Sequence, residues 1–158
     1  MRLLPWTIVL RDIGLINTLA GLVLIHTIQG LSFTTLFCRN YYIAIPQELI
    51  KAARIDGAGF FQIFRRIMLP NSAPIFIVTV IYQFTNIWND FLFGATFAAG
   101  DQSPMTVAVN NVVNTSTGVT EYNVNMAAAI IAAAPTLFVY IVAGRYFVRG
   151  LMAGAVKG

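Results

Sequence analysis

The sequence predicts an all-α, polytopic transmembrane helical bundle with about three spans and a helical loop on its cytoplasmic side. Three observations carry that expectation. Of 158 residues, 58% are hydrophobic and only 10% are charged, whereas soluble domains carry about 25% charge. Three long stretches hold no Asp, Glu, Lys or Arg: Ile13 to Cys38, Ile67 to Asn89 and Tyr122 to Gly144. The cations flank these stretches, and none lies between Ile67 and Gly144. Other classes fall away. Aromatic residues make up 13% of the chain and polar low-complexity tracts are absent, which excludes disorder. Cys38 is the single cysteine, so there is no intrachain disulfide framework. The net charge of +4 comes from cations bordering apolar runs. A nucleic-acid face needs a basic patch in polar surroundings, so the expected partner is a lipid bilayer and not nucleic acid.

The elements follow in chain order. Residues 3–10 are apolar but too short to span, and read as the end of an element that began upstream. No cleavable signal is evident, because Arg11 and Asp12 interrupt the run with no small-residue cleavage site after it. A span needs roughly 20 apolar residues to cross about 30 Å of hydrocarbon. The first is expected over about 13–38, softened by Asn17, His26 and Gln29. The second is expected over about 70–97; it continues past Asp90, so it should be broken or tilted. The third, about 122–144, is the cleanest, and its alanines favour close helix packing in lipid. Pro135 should kink it, tolerably if neighbouring helices cover the freed carbonyl.

Loop charge sets the orientation. Residues 39–66 carry Arg39, Lys51, Arg54, Arg65 and Arg66 against Glu48 and Asp56. The C-terminal tail adds Arg145, Arg149 and Lys157. Residues 98–121 hold Asp101 and Glu121 and no cation. The positive-inside rule places 39–66 and the tail in the cytoplasm and 98–121 outside. An N-terminus outside then fits Arg2 and Arg11 poorly, which again suggests an upstream element.

The loop at about 39–69 is not a plain connector. Pro46 opens a short helix on which Leu49, Ala52, Ala53 and Asp56 share a face at i, i+3, i+4 and i+7. That face is small, so another surface can approach the backbone closely. Gly57 ends the helix, since glycine takes positive φ freely. A second helix, Phe60 to Met68, places Gln62, Arg65 and Arg66 on one side and Phe60, Phe61, Ile63, Phe64 and Ile67 on the rest. That pattern suits a membrane surface. Leu69-Pro70 should break the chain before the next span.

These residues carry a resemblance. Ala52-Ala53, Gly57, Ile67 and Leu69-Pro70 match the EAA loop, A-A-x3-G-x9-I-x-L-P, of the membrane subunits of binding-protein-dependent ABC importers. The segment from Ile45 through Glu48, Leu49, Ile55, Asp56 and Ala58 is similar to the carbohydrate, maltose-type branch. So are Trp88-Asn89-Asp90 and the ending from Tyr146 to Gly158. The resemblance runs from about Leu4 to the last residue and implies the C-terminal part of a type I permease. It departs at Lys51, where a glutamate is usual, at Ser32, where proline is common, and in the upstream helices that family members have. It implies a permease subunit of an ATP-driven sugar importer, multi-pass in a bacterial or archaeal cytoplasmic membrane. The implied partners are a second permease subunit, two ATPase subunits and an extracytoplasmic sugar-binding protein. The implied docking residues are Glu48, Leu49, Lys51, Ala52, Ala53, Asp56, Gly57, Ala58, Ile67, Leu69 and Pro70.

The residues themselves indicate no catalysis. No phosphate-binding G-x-x-x-x-G-K-[ST] run occurs, so ATP and Mg are expected on the partner ATPase and no cofactor on this chain. No His/Cys/Asp/Glu group has metal-ligand spacing. Gln83, Asn86, Asn89 and Asp90 fall at i, i+3, i+6 and i+7, near one side of a helix. They form a candidate lining for a sugar path, with Trp88 for ring stacking, or equally interhelical glue. An ionised Asp at mid-bilayer costs on the order of 2.5–3.5 kcal/mol, which marks Asp90 as a functional candidate. His26, alone in its span, reads as a packed or interhelical donor. Asn114-Thr115-Ser116 fits a glycosylation sequon that is expected to be idle. Two competing readings are an intramembrane hydrolase, and a structural, assembly or non-functional fragment. One Asp and one His on different spans give the hydrolase little support.

Overall fold

The structure, a computed structural model, describes residues 3–98, 100–114 and 121–155, with side chains for these except Asp101 and 145–155. Arg2, Lys157, the sequon's Thr115 and Ser116, and the side chains of Arg145 and Arg149 therefore lie outside the described residues.

All regular structure among the described residues is helical. α1 is Leu3–Asp12, α2 Leu19–Ile43 and α3 Gln47–Ile55. α4 is Phe60–Asn71. α5 is Ala73–Trp88, α6 Leu92–Phe97, α7 Met105–Asn114 and α8 Tyr122–Ala155. Two helices, Leu19–Ile43 and Tyr122–Gly144, are long and apolar enough to cross a membrane; counting the bent pair α4–α5 as one makes three.

The first span differs from the expected 13–38. Gly14 (φ 70°) and Asn17 (φ 57°) adopt left-handed conformations, so 13–18 is a turn. The Thr18 hydroxyl accepts the Gly21 N–H at 3.1 Å, and the Leu19 N–H donates to Gln102 Oε1 at 2.8 Å. These contacts satisfy donors that a helix start leaves orphaned and begin α2 at Leu19. At the other end α2 carries Arg39 and runs on to Ile43. Long cationic side chains tolerate a span's end because they reach the interface. At 1.5 Å per residue its 25 residues reach about 37 Å.

The second span is broken, and more sharply than expected. The 16 residues of α5 cover only about 24 Å, short of a bilayer core. The chain breaks at 89–91 and resumes as α6. The expected stop at Leu69-Pro70 needs correction. The chain stays helical through Pro70, and the 59° bend comes between Asn71 and Ala73. Pro70 sits in the first turn of a new helical segment, where its missing N–H costs little. The turn before it is widened into a π-helical segment, Phe64–Met68.

Backbone contacts divide the chain into two units, one reaching Gly30 and resuming over Gln83–Val139, the other holding Leu31–Tyr82 and the residues from Tyr140. In the first unit Leu10, Ile25 and Phe97 are fully buried, with Trp6, Leu15, Ile16, Leu24 and Phe93 packed around them. Lipid is as apolar as these side chains, so close packing rather than the hydrophobic effect holds them together. Gly94 belongs to that packing: a Cβ there would meet Pro104 Cγ at 2.9 Å and Val107 Cγ2 at 3.1 Å. In the second unit Phe33 stacks on Tyr82 at 3.9 Å between centroids. Ile63, Ser72, Ile75, Val78 and Ile81 are buried there.

Candidate functional site

The loop expected to bear the docking surface folds as two helices around one glycine. After α3, the Asp56 N–H donates to Ala52 O at 3.0 Å, Gly57 N–H to Arg54 O at 3.1 Å and Ala58 N–H to Ala53 O at 2.9 Å. The last two are the crossed pair of a Schellman ending, which needs a left-handed residue; Gly57 supplies φ +80°. Glu48, Leu49, Lys51, Ala52, Asp56 and Gly57 are exposed, and Ala53 and Ala58 half-buried. The small face is thus open. At the start of α4 the Gly59 N–H donates to Gln62 Oε1 at 3.2 Å. Of its apolar side chains only Ile63 is buried; Phe60 and Phe61 stay 83% and 74% exposed. Ile67 is half-buried, and Leu69 and Pro70 exposed.

The polar stripe of the second span is scattered rather than gathered. Gln83 Nε2 donates to Gly30 O at 2.8 Å. That approach requires the glycine, because a Cβ there would lie 2.7 Å from Gln83 Nε2. Trp88 stacks on Phe84 and donates its indole N–H to Ala132 O at 2.8 Å. Asn89 turns back on its own helix, with Nδ2 2.8 Å from Thr85 O. Asn86 is exposed. Asp90 sits at the break. Its carboxylate accepts the Phe93 and Gly94 N–H groups, both at 3.1 Å to Oδ2, and its carbonyl accepts the Thr106 hydroxyl at 2.6 Å.

The fold also joins what the sequence kept on separate spans. His26 Nε2 lies 3.7 Å from Asp90 Oδ2, with side chains 13% and 16% exposed. The His26 ring meets Phe93 edge-on at 5.8 Å. This is ion-pair distance, and it makes His26 an interhelical partner. Among the described residues no group of three His, Cys, Asp or Glu side chains is placed to hold a metal ion.

Sequence reasoning missed a second cluster, at the α4–α5 bend. Tyr41 Oη donates to Asn71 O at 2.6 Å, and Tyr42 Oη lies 2.7 Å from Ser72 Oγ. The available signals were a pair of tyrosines at a span's end, where aromatic residues favour the membrane interface, and two side-chain hydrogen bonders just after a proline.

Residues 3–152 match the family described as the binding-protein-dependent transport system inner membrane component. The chain belongs to that family. This inner membrane component is 45% identical over 157 residues to a probable ABC transporter permease protein of Pyrococcus horikoshii, covering 99% of the chain and 56% of the relative. It is 40% identical to the xylose/arabinose import permease protein of Haloferax volcanii, over 84% of the chain and 44% of the relative. It is 35% identical to the melibiose/raffinose/stachyose import permease protein of Bacillus subtilis, over 93% of the chain and 53% of the relative. The chain thus spans about half the length of these curated relatives.

Proposed function

We propose that this inner membrane component works as one portion of a permease subunit of an ATP-driven sugar importer, with the α3–α4 loop as its docking surface for a cytoplasmic ATPase. Family membership supports transport, and relatives named for pentose and oligosaccharide import support a sugar as cargo. One observation supports the coupling role: α3 presents Leu49, Ala52, Ala53 and Asp56 on an open face and closes in a hydrogen-bonded turn at Gly57 that leads directly into α4. A short rigid helix with a small face can be gripped and moved as a lever. Closure of two ATPases on ATP then switches the spans between inward- and outward-facing states, a rigid-body transition. ATP and Mg belong to the ATPases. A second permease subunit completes the wall of the path, and an extracytoplasmic binding protein delivers the sugar. α3, α4 and the tail face the cytoplasm. Asn86, exposed on α5, and Asn89, exposed just past its end, are the members of the polar stripe assigned to the cargo path; Gln83, Trp88 and Asp90 chiefly hold helices together.

The test is to express the full subunit with its neighbouring operon products, copurify them, and assay uptake against a panel of labelled pentoses and oligosaccharides. ATP-dependent, saturable uptake of at least one sugar is expected. Assembly with an ATPase but uptake only of non-sugar solutes removes the cargo assignment.

A further inference from the structure

The bend between α4 and α5 is where the docking segment meets a span. A helix end leaves its last carbonyls unpartnered. Here the carbonyls of Ile67, Met68, Leu69 and Asn71 each receive a donor. Asn71 Nδ2 donates to Ile67 O at 2.7 Å, the Ser72 hydroxyl to Met68 O at 2.6 Å, and the Ser72 N–H to Leu69 O at 3.1 Å. The Asn71 carbonyl is taken by Tyr41. The Ser72 hydroxyl has one proton, committed to Met68 O, so Tyr42 must donate the bond that joins it to Ser72 Oγ. Ser72 is fully buried, and its carbonyl accepts the Phe76 N–H at 3.0 Å to start α5. Two adjacent residues at the end of α2 thus hold two adjacent residues of the bend.

We propose that Tyr41 and Tyr42 are positioning residues that clamp the bend, so that the docking segment, α5 and the end of α2 move as one rigid piece. This rests on the coupling reading above. An unclamped bend would flex: the ATPase would displace α4, and the displacement would be absorbed before it reached the span. A bent helix pair has two failure points, the angle itself and the π-widened turn before it, and the hydrogen bonds of Tyr41, Tyr42, Asn71 and Ser72 fall on both.

The test measures the bend directly, in the full-length subunit within its assembled transporter. Spin labels replace exposed Phe61 on α4 and exposed Val80 on α5, in a background lacking Cys38. The native chain should give one narrow label–label distance, the same without nucleotide and when trapped with ATP and vanadate. Tyr41→Phe with Tyr42→Phe should widen the distribution and make it nucleotide-dependent, while ATPase copurification and ATP hydrolysis stay at native level and uptake per ATP falls. Adding Tyr42→Phe to Ser72→Ala should do no more than Ser72→Ala alone, because the serine variant already lacks the bond to Tyr42 as well as its own to Met68 O. A native distribution as broad as that of the double phenylalanine variant, or a variant as narrow as native, overturns the clamp. If no ATPase copurifies with the native subunit, the coupling reading falls instead, and the nucleotide-free widths still decide the clamp.

Discussion

The indole N–H of Trp88 donates to the carbonyl of Ala132, 2.8 Å away on α8. Pro135 lies inside α8 and deprives the Ile131 carbonyl of its usual donor. The bond from Trp88 therefore falls one residue along from the freed carbonyl and ties the neighbouring helix to the turn that Pro135 loosens.

Trp88→Phe keeps the ring that stacks on Phe84 and removes the donor. Interhelical hydrogen bonds in membranes contribute about 0.6 kcal/mol on average and up to about 1.7, so a modest drop in thermal stability is expected. Trp88→Leu should cost more, since the stack goes too. Nearby, Thr136 Oγ1 is buried with no hydrogen-bond partner. Thr136→Val should then be neutral or stabilising, because it removes a polar group that gains nothing. Thermal unfolding of the detergent-solubilised subunit ranks the three; a Thr136→Val loss as large as that of Trp88→Leu contradicts the assignment.

Asp90 performs two tasks that substitution separates. Asp90→Asn retains an acceptor for the Phe93 and Gly94 N–H groups but removes the charge beside His26. Asp90→Ala removes both. Losing a cap of this kind costs roughly 0.5–2 kcal/mol, so the alanine variant should be the less stable. In a double-mutant cycle, His26→Gln should cost less in the Asp90→Asn background than in the native one. Additive losses would show that the 3.7 Å approach carries no interaction.

What the sequence made legible follows from where the determinants are local. The α3 face, the Gly57 turn and the break near Asp90 are set by residues within a few positions of each other, so spacing revealed them. The start of α2 was misplaced because Gln102, far along the chain, helps to cap it. The polar stripe kept two readings, sugar path or interhelical contact, because a helical wheel gives angles, not partners. Gly30 and Ala132 offer only backbone carbonyls to Gln83 and Trp88, and nothing in a side-chain pattern marks a carbonyl as available. Tyr42 and Ser72 belong to the same class: neither stands out alone, and they pair across thirty positions of chain.

Orientation is testable by thiol labelling. Cations flank the stretch from Ile67 to Gly144 and none lies within it, so the positive-inside rule puts the α3–α4 loop in the cytoplasm. In a Cys38-free background, single cysteines at Ile55 and Lys157 should be shielded from impermeant reagents in intact cells and react after permeabilisation. One at Thr117 should react directly. Ile55 is 86% exposed in the structure, so shielding there reports the membrane barrier rather than packing. Labelling of that position from outside reverses the topology.

The proposed docking surface is best probed by changes that leave the loop's own fold intact or break it on purpose. Ala53→Asp places a charge on the small face while α3 keeps its Schellman ending, so insertion and protein level should hold while ATPase copurification drops. Gly57→Ala tests the turn alone. Nothing lies within 4 Å of the added methyl, so its cost is the left-handed conformation itself, roughly 1 kcal/mol. The result should be a weakened but present association. Gly57→Pro should abolish it, because proline cannot take φ +80° and lacks the N–H that reaches Arg54 O. Lys51 adds the sign test. It is exposed beside the small face, where the resembling family usually carries glutamate. Lys51→Glu should leave α3 folded and leave association neutral or improved, unless the native ATPase presents a compensating acid to Lys51. Copurification from membranes, with uptake measured alongside, ranks all four. Normal transport by a complete permease carrying Ala53→Asp or Gly57→Pro would remove the coupling role from this loop.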